Sequence, residues 1–170
     1  MFEIRPAEEK DCELVLNFIK KLADYEKLLD QVTATVDDVR RELFGESVTA
    51  HAVIAYEDDT PVGFALYFHN FSTFLTRKGL YLEDIFIDPA YRGKGYGKAL
   101  MRYLAALAVK EKCGRFEWVV LEWNTPAIGF YEKVGATVLP DWRLCRLTGE
   151  ALERFATGSE VVYCFSGFGP

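Results

Sequence analysis

The chain has 170 residues, enough for one domain with a sizeable core, and half of them are apolar against 27% charged, which sets disorder aside. A net charge of −6 without any basic tract excludes a nucleic-acid backbone as the main partner and is compatible with a cationic substrate. Four cysteines with no C-x-x-C spacing read as buried reduced thiols, the two histidines are too scattered for a metal site, and no signal peptide or membrane span is visible, so a cytoplasmic protein without metal is expected.

Taken in order, residues 2–5 read as a short strand that ends at Pro6. Residues 9–27 form a predicted helix with Cys12, Val15, Leu16, Ile19, Leu22 and Ala23 on one face. Thr35 has the character of an N-cap, with Asp37 and Asp38 in the first turn of a short helix reaching Phe44. Residues 50–56 and 62–71 are predicted strands joined by an acidic turn, and 72–79 a loop. Residues 80–87, rich in Leu, Ile, Tyr and Phe, read as a buried strand stopped by Pro89.

After a glycine-rich loop comes a helix whose Ala99, Leu100, Tyr103, Leu104, Leu107 and Ala108 recur at three and four. Cys113-Gly114 ends it, and residues 115–122 are a predicted strand. With a whole helix between them, this strand and 80–87 are expected to be parallel, joined by a right-handed crossover. A short helix opens at Thr125-Pro126 and ends at Gly135, residues 138–139 and 142–147 suggest a closing hairpin, and 149–156 a last helix. No repeat or linker marks a boundary, so 1–170 is expected to be a single domain, with 158–170 a tail whose aromatic residues either cap a neighbour or hang loose.

Strand 80–87, the loop and the helix after it form the kind of backbone that holds a phosphate. First-turn N–H groups of a helix lack internal partners and carry the positive end of the dipole, while glycines let the chain curl around an anion. A Walker loop is excluded, because Gly97-Lys98-Ala99 follows glycines that stand too close together. Residues 93–99 also match the dinucleotide pattern G-x-G-x-x-G poorly. What stands here is Arg92-x-x-Gly95-x-Gly97.

That pattern resembles the pyrophosphate loop of the GNAT acetyltransferase superfamily, and the run from Asn124 through Tyr131 to Ala136 resembles the family's asparagine-to-tyrosine segment. Within the family, Tyr81-Leu82-Glu83-Asp84, Glu122-Trp123-Asn124 and Asp24-Tyr25-Glu26-Lys27 are similar to the spermidine/spermine N-acetyltransferase group. Glu26-Lys27-Leu28, Asp30-Gln31-Val32 and Ser72-Thr73 resemble its thialysine branch, although Phe74 stands where tryptophan is usual. The resemblance covers residues 3–156. It implies an α/β GNAT fold, a mixed sheet of about six to seven strands flanked by helices, with a parallel pair splayed at the cofactor site. It also implies acetyl-CoA as co-substrate, a small di- or polyamine as acceptor and a homodimer.

On the same resemblance, the co-substrate would lie along Ile85, Phe86 and Ile87, the loop residues Arg92, Gly93, Lys94, Gly95, Tyr96, Gly97 and Lys98, and Asn124, Thr125, Pro126, Ala127 and Tyr131. Tyr25, Glu26, Glu83 and Asp84 would bind the amine. An alkyl ammonium has a pKa near ~10.4, so acylation at neutral pH requires a base to remove a proton. Glu83, an acid in the middle of an apolar strand, suits that task, directly or through water. Strand alternation turns Asp84 to the opposite face unless a bulge intervenes. Tyr131, about two turns into its helix, is placed to protonate the departing thiolate. A protein lysine or N-terminus as acceptor, or a CoA-binding module without catalysis, are the alternatives.

Overall fold

In the computed structural model, which describes residues 1–157, the chain divides into two compact units, Met1–Leu121 and a second that begins at Glu122. The first unit is built on a five-stranded sheet in sequential order: β1 (Phe2–Pro6), β2 (His51–Glu57), β3 (Thr60–Ser72), β4 (Arg77–Ile87) and β5 (Phe116–Trp118). The first four strands pair antiparallel, and β4 and β5 pair parallel, as the intervening helix required. Asp58 and Asp59, both in the left-handed region at φ 47° and 64°, make the tight turn between β2 and β3.

Helices α1 (Cys12–Tyr25), α2 (Val36–Phe44) and α3 (Tyr96–Lys110) complete this unit. Helix α1 is shorter than its periodicity predicts. Residues 9–11 form a separate 3₁₀ turn in which the Glu8 N–H donates to the Asp11 carboxylate at 2.8 Å. Helix α2 starts as expected on Thr35, whose hydroxyl accepts from the Asp38 N–H at 3.2 Å. Cys12, Val15, Leu16 and Phe18 of α1 pack with Val39 and Leu43 of α2 on Ala52, Ile54, Phe64 and Phe86 of the sheet. Val53, Ala55 and Ala65 alternate to the other face and are also buried. Four consecutive buried residues in β2, from Ala52 to Ala55, mark a strand covered on both faces. Helix α3 packs on β4 and buries Leu100, Met101, Leu104 and Ala108.

Besides a register shift between Ala55 and Tyr56 in the β2–β3 pairing, the sheet has two irregularities in the second half of β4. Leu66 pairs with Asp84 and Tyr67 with Leu82, which leaves Glu83 as an extra residue bulged out of β4. The β4–β5 ladder has only the pairs Leu80–Phe116, Tyr81–Glu117 and Leu82–Trp118, so beyond Leu82 β4 has no ladder partner on that side among the described residues. Near the end of β4 the neighbouring strand passes very close. A Cβ added at Gly63 would sit 2.4 Å from the Phe86 carbonyl oxygen and 2.5 Å from Ile87 Cδ1.

The second unit holds α4 (Thr125–Lys133) and α5 (Gly149–Thr157). The hairpin expected at 138–147 is not formed, and β5 spans three residues instead of eight, so the described sheet has five strands and not six or seven. Val, Leu and Trp favour strands only where a half-buried surface receives them. Here Val138, Leu139, Trp142, Leu144 and Leu147 are exposed, and Pro140-Asp141 interrupts the run. Cys12 is buried as predicted, whereas Cys113 is half-buried and Cys145 exposed, all three as free thiols. The tail 158–170, with Cys164, lies outside the described residues. No helix among those described is long and apolar enough to cross a membrane.

Candidate active site

The glycine loop is shaped by its backbone. After β4, Asp88 Oδ1 accepts from the Ala90 N–H at 3.1 Å and a 3₁₀ turn covers Pro89–Tyr91. Arg92 is extended, and Gly93 and Gly95 then take left-handed conformations at φ 80° and 85°, which only glycine adopts without strain. Gly95 is the N-cap of α3, so no side chain caps the helix and its first-turn N–H groups are left for an anion. A Cβ built on Gly93 or Gly95 would meet no atom within 4 Å, which makes the concave loop open to a ligand.

The loop's side chains are engaged elsewhere. Lys94 Nζ donates to both carboxylate oxygens of Glu57, at the end of β2, at 2.8 and 2.9 Å. The Tyr96 hydroxyl donates to the same carboxylate, and the Tyr96 ring stacks on Phe2 at 4.1 Å. Hydrogen bonds from Lys94, then Tyr96, hold the Glu57 carboxyl below its usual range and raise Lys94 in turn. Lys94 is therefore charge-compensated within the protein, and attraction for an anion falls chiefly to the backbone. Arg92 turns away as well: its Nε–H donates to the Ile87 carbonyl at 3.0 Å, and its guanidinium lies over the rings of Tyr25 and Phe86, at 4.7 and 5.7 Å.

The four residues expected to bind an amine come from the end of α1 and the bulge of β4. Tyr25 is the last residue of α1 and Glu26 its C-cap. Burial first, then the charges of Glu83 and Glu26, push the Asp84 carboxyl up to about 6. Burial raises Glu26 too. The charges of Glu83 and Glu26 thus both act on Asp84, and an ammonium group there would relieve it. Strict alternation would separate Glu83 from Asp84; the bulge removes that constraint. The residue pattern places Asp84 behind Glu83, yet Asp84 is the carboxyl that burial raises, and the bulge beside it is invisible in that pattern.

In the second unit Asn124 caps α4, its Oδ1 accepting from the Ala127 N–H at 3.4 Å, and Pro126 sits in the first turn. Tyr131 is buried, its ring beside Phe130, and burial raises its hydroxyl above the ordinary phenol range. Trp142 is 75% exposed. Sequence spacing also missed a grouping of His69, Glu111 and Cys113, whose donor atoms lie within 4.8 Å of one another. The Lys78 ammonium already sits 2.6 Å from the Glu111 carboxylate there, which opposes a second cation.

Residues 20–136 match the model of the acetyltransferase (GNAT) family, a span that crosses the boundary between the two units. An L-ornithine N5-acetyltransferase of Arabidopsis thaliana is 46% identical over 123 residues, covering 72% of this chain but 51% of that protein, so the chain spans about half its length. A thialysine N-epsilon-acetyltransferase of Sus scrofa is 37% identical over 164 residues, 90% of this chain and 96% of that protein. Among solved structures, an integron cassette protein of V. cholerae superposes with a TM-score of 0.78 at 27% identity, covering 92% of this chain and 98% of that one. The chain belongs to the GNAT family and is an N-acetyltransferase.

Proposed function

We propose that this enzyme transfers an acetyl group from acetyl-CoA to a primary amine of a small diamine or polyamine of the thialysine, ornithine or spermidine kind. One observation carries the acceptor class: Glu26, Glu83 and Asp84 in a single partly buried corner. Such a corner favours a ligand with a second cationic group beside the reacting amine. The names of the relatives, which act on ornithine and thialysine, support the same class. Acetyl-CoA would supply the activated thioester. Gly93, Gly95 and Gly97, with the first-turn amides of α3, would hold its pyrophosphate, and the open side of β4 at Ile85, Phe86 and Ile87 its arm. Asn124, Thr125, Pro126 and Ala127 join that set through the family resemblance.

Removing a proton from an ammonium of pKa near ~10.4 falls to the Glu83–Asp84 pair, directly or through water. The amine nitrogen then bonds to the carbonyl carbon and gives up its second proton as the carbon–sulfur bond breaks; on the family resemblance, the Tyr131 hydroxyl would protonate the thiolate and regain its proton from solvent. Each turnover releases one proton, because an ammonium and a thioester become an amide and a thiol. Burial keeps the Tyr131 proton on its oxygen until the thiolate forms. One acetyltransferase domain, acting as a cytoplasmic homodimer, belongs to the same proposal through the resemblance to the polyamine group.

Thiol release with thialysine, ornithine, lysine, putrescine and spermidine, each against butylamine, tests the reading. Diamines should exceed the monoamine by about tenfold to a hundredfold in kcat/KM. Equal values across the set would reject the diamine class and favour a protein lysine. Tyr131→Phe should lower turnover by roughly 10²–10⁴ while acetyl-CoA binding persists.

A further inference from the structure

The end of α1 is fastened to the turn that leaves β4 at two points. Lys21 Nζ donates to Asp88 Oδ2 at 2.8 Å, and the other oxygen of Asp88 holds the Ala90 amide. Farther along the turn, the Arg92 guanidinium carbon lies 4.7 Å from the centre of the Tyr25 ring, while its Nε–H is fixed on the Ile87 carbonyl. Arg92 is also the last residue before the two left-handed glycines. Its backbone therefore starts the loop, and its side chain braces an aromatic ring next to Glu26.

We propose that Arg92 is a positioning residue for the acceptor amine, which couples the glycine loop to the Tyr25–Glu26 corner instead of serving mainly as a phosphate ligand. The proposal rests on the reading of Tyr25 and Glu26 as amine-binding. A guanidinium cannot both stack on Tyr25 with its Nε–H on Ile87 and swing out over the loop. Adjustment of the loop around an anion would be passed through Arg92 to the ring, and linkage requires the effect to run both ways.

A double-mutant cycle decides the matter, with Arg92→Met, Tyr25→Leu and the pair. Steady-state kinetics with thialysine, and calorimetry with CoA, read the two sites separately. Arg92→Met should raise the amine KM by roughly threefold to tenfold, the scale of a lost cation–π contact, and shift the CoA Kd by less. Arg92→Lys, which keeps a cation near the ring, should recover part of the loss. In the double variant the KM effects should fail to multiply. Fully multiplicative effects would overturn the coupling alone, and a weakened CoA Kd with unchanged amine KM would make Arg92 an ordinary phosphate ligand. A Tyr25→Leu enzyme with wild-type amine KM would overturn the acceptor reading beneath the proposal, and the proposal with it.

Discussion

The two ends of the final stretch of β4 meet opposite charges by opposite means. At the glycine loop, positive character comes from backbone amides, and the obvious cation, Lys94, is tied to Glu57. At the bulge, negative character comes from side chains, where burial first and then the charges of Glu83 and Glu26 push the Asp84 carboxyl up to about 6. An amide site is set by φ and ψ and tolerates changes in side chain; a carboxylate site is set by desolvation and neighbouring charge, and answers to pH. The first should break under backbone strain, the second under neutral substitution.

Gly95→Asp tests the first half of that contrast with the largest effect. It forces a side chain onto a residue at φ 85° and places a carboxylate where an anion would lie. Loss of measurable CoA binding by calorimetry, in a variant whose circular dichroism matches the parent, is expected; retained affinity would sink the loop assignment.

Asp84→Asn comes next. With the folded carboxyl raised from 3.8 to about 6, the charged form appears only as pH climbs through about 6, so amine kcat/KM should rise there and the inflection should vanish in the variant. The stability sign is the reverse. Between the two pKa values the folded state binds more protons than the unfolded chain, so this group's contribution falls as pH rises and is lost above about 6. Asp84→Asn should therefore melt higher than the parent at neutral pH while turning over more slowly. An undiminished inflection near 6 would assign it to another group.

Glu26→Gln is the mildest change. It should reduce the preference for diamine over butylamine by about tenfold and leave butylamine turnover nearly untouched, since a partly desolvated charged hydrogen bond is worth roughly 1.5–3 kcal/mol. Equal loss with both amines would move Glu26 from recognition to proton transfer.

Legibility in the residues divides along the same line. Strand, glycine loop and helix were legible because period and phosphate geometry are local: Pro89 stops β4, and the Arg92-x-x-Gly95-x-Gly97 pattern describes its own backbone. The grouping of Tyr25, Glu26, Glu83 and Asp84 was reached through family resemblance, since no spacing rule joins a helix end to a distant strand. The bulge at Glu83 leaves no trace in hydrophobic alternation, so the pattern sets Asp84 too low. Neither the hold of Glu57 on Lys94 nor that of Arg92 on Tyr25 could be read, because both are tertiary contacts between exposed-looking charges and rings. The missing hairpin at 138–147 failed the other way, through residues with strand propensity but no buried surface to receive them.

Gly63 ties the placement of the loop to a residue outside its motif. Any side chain at that position would drive into the Phe86 carbonyl and the Ile87 side chain, whose Cγ1 in turn would lie 3.9 Å from a Cβ at Gly97. A lineage that kept Arg92, Gly95 and Gly97 but lost Gly63 would inherit the signature and misplace the strand end on which it hangs. Descent should therefore preserve this glycine of β3 together with the loop, as one heritable unit divided between two strands.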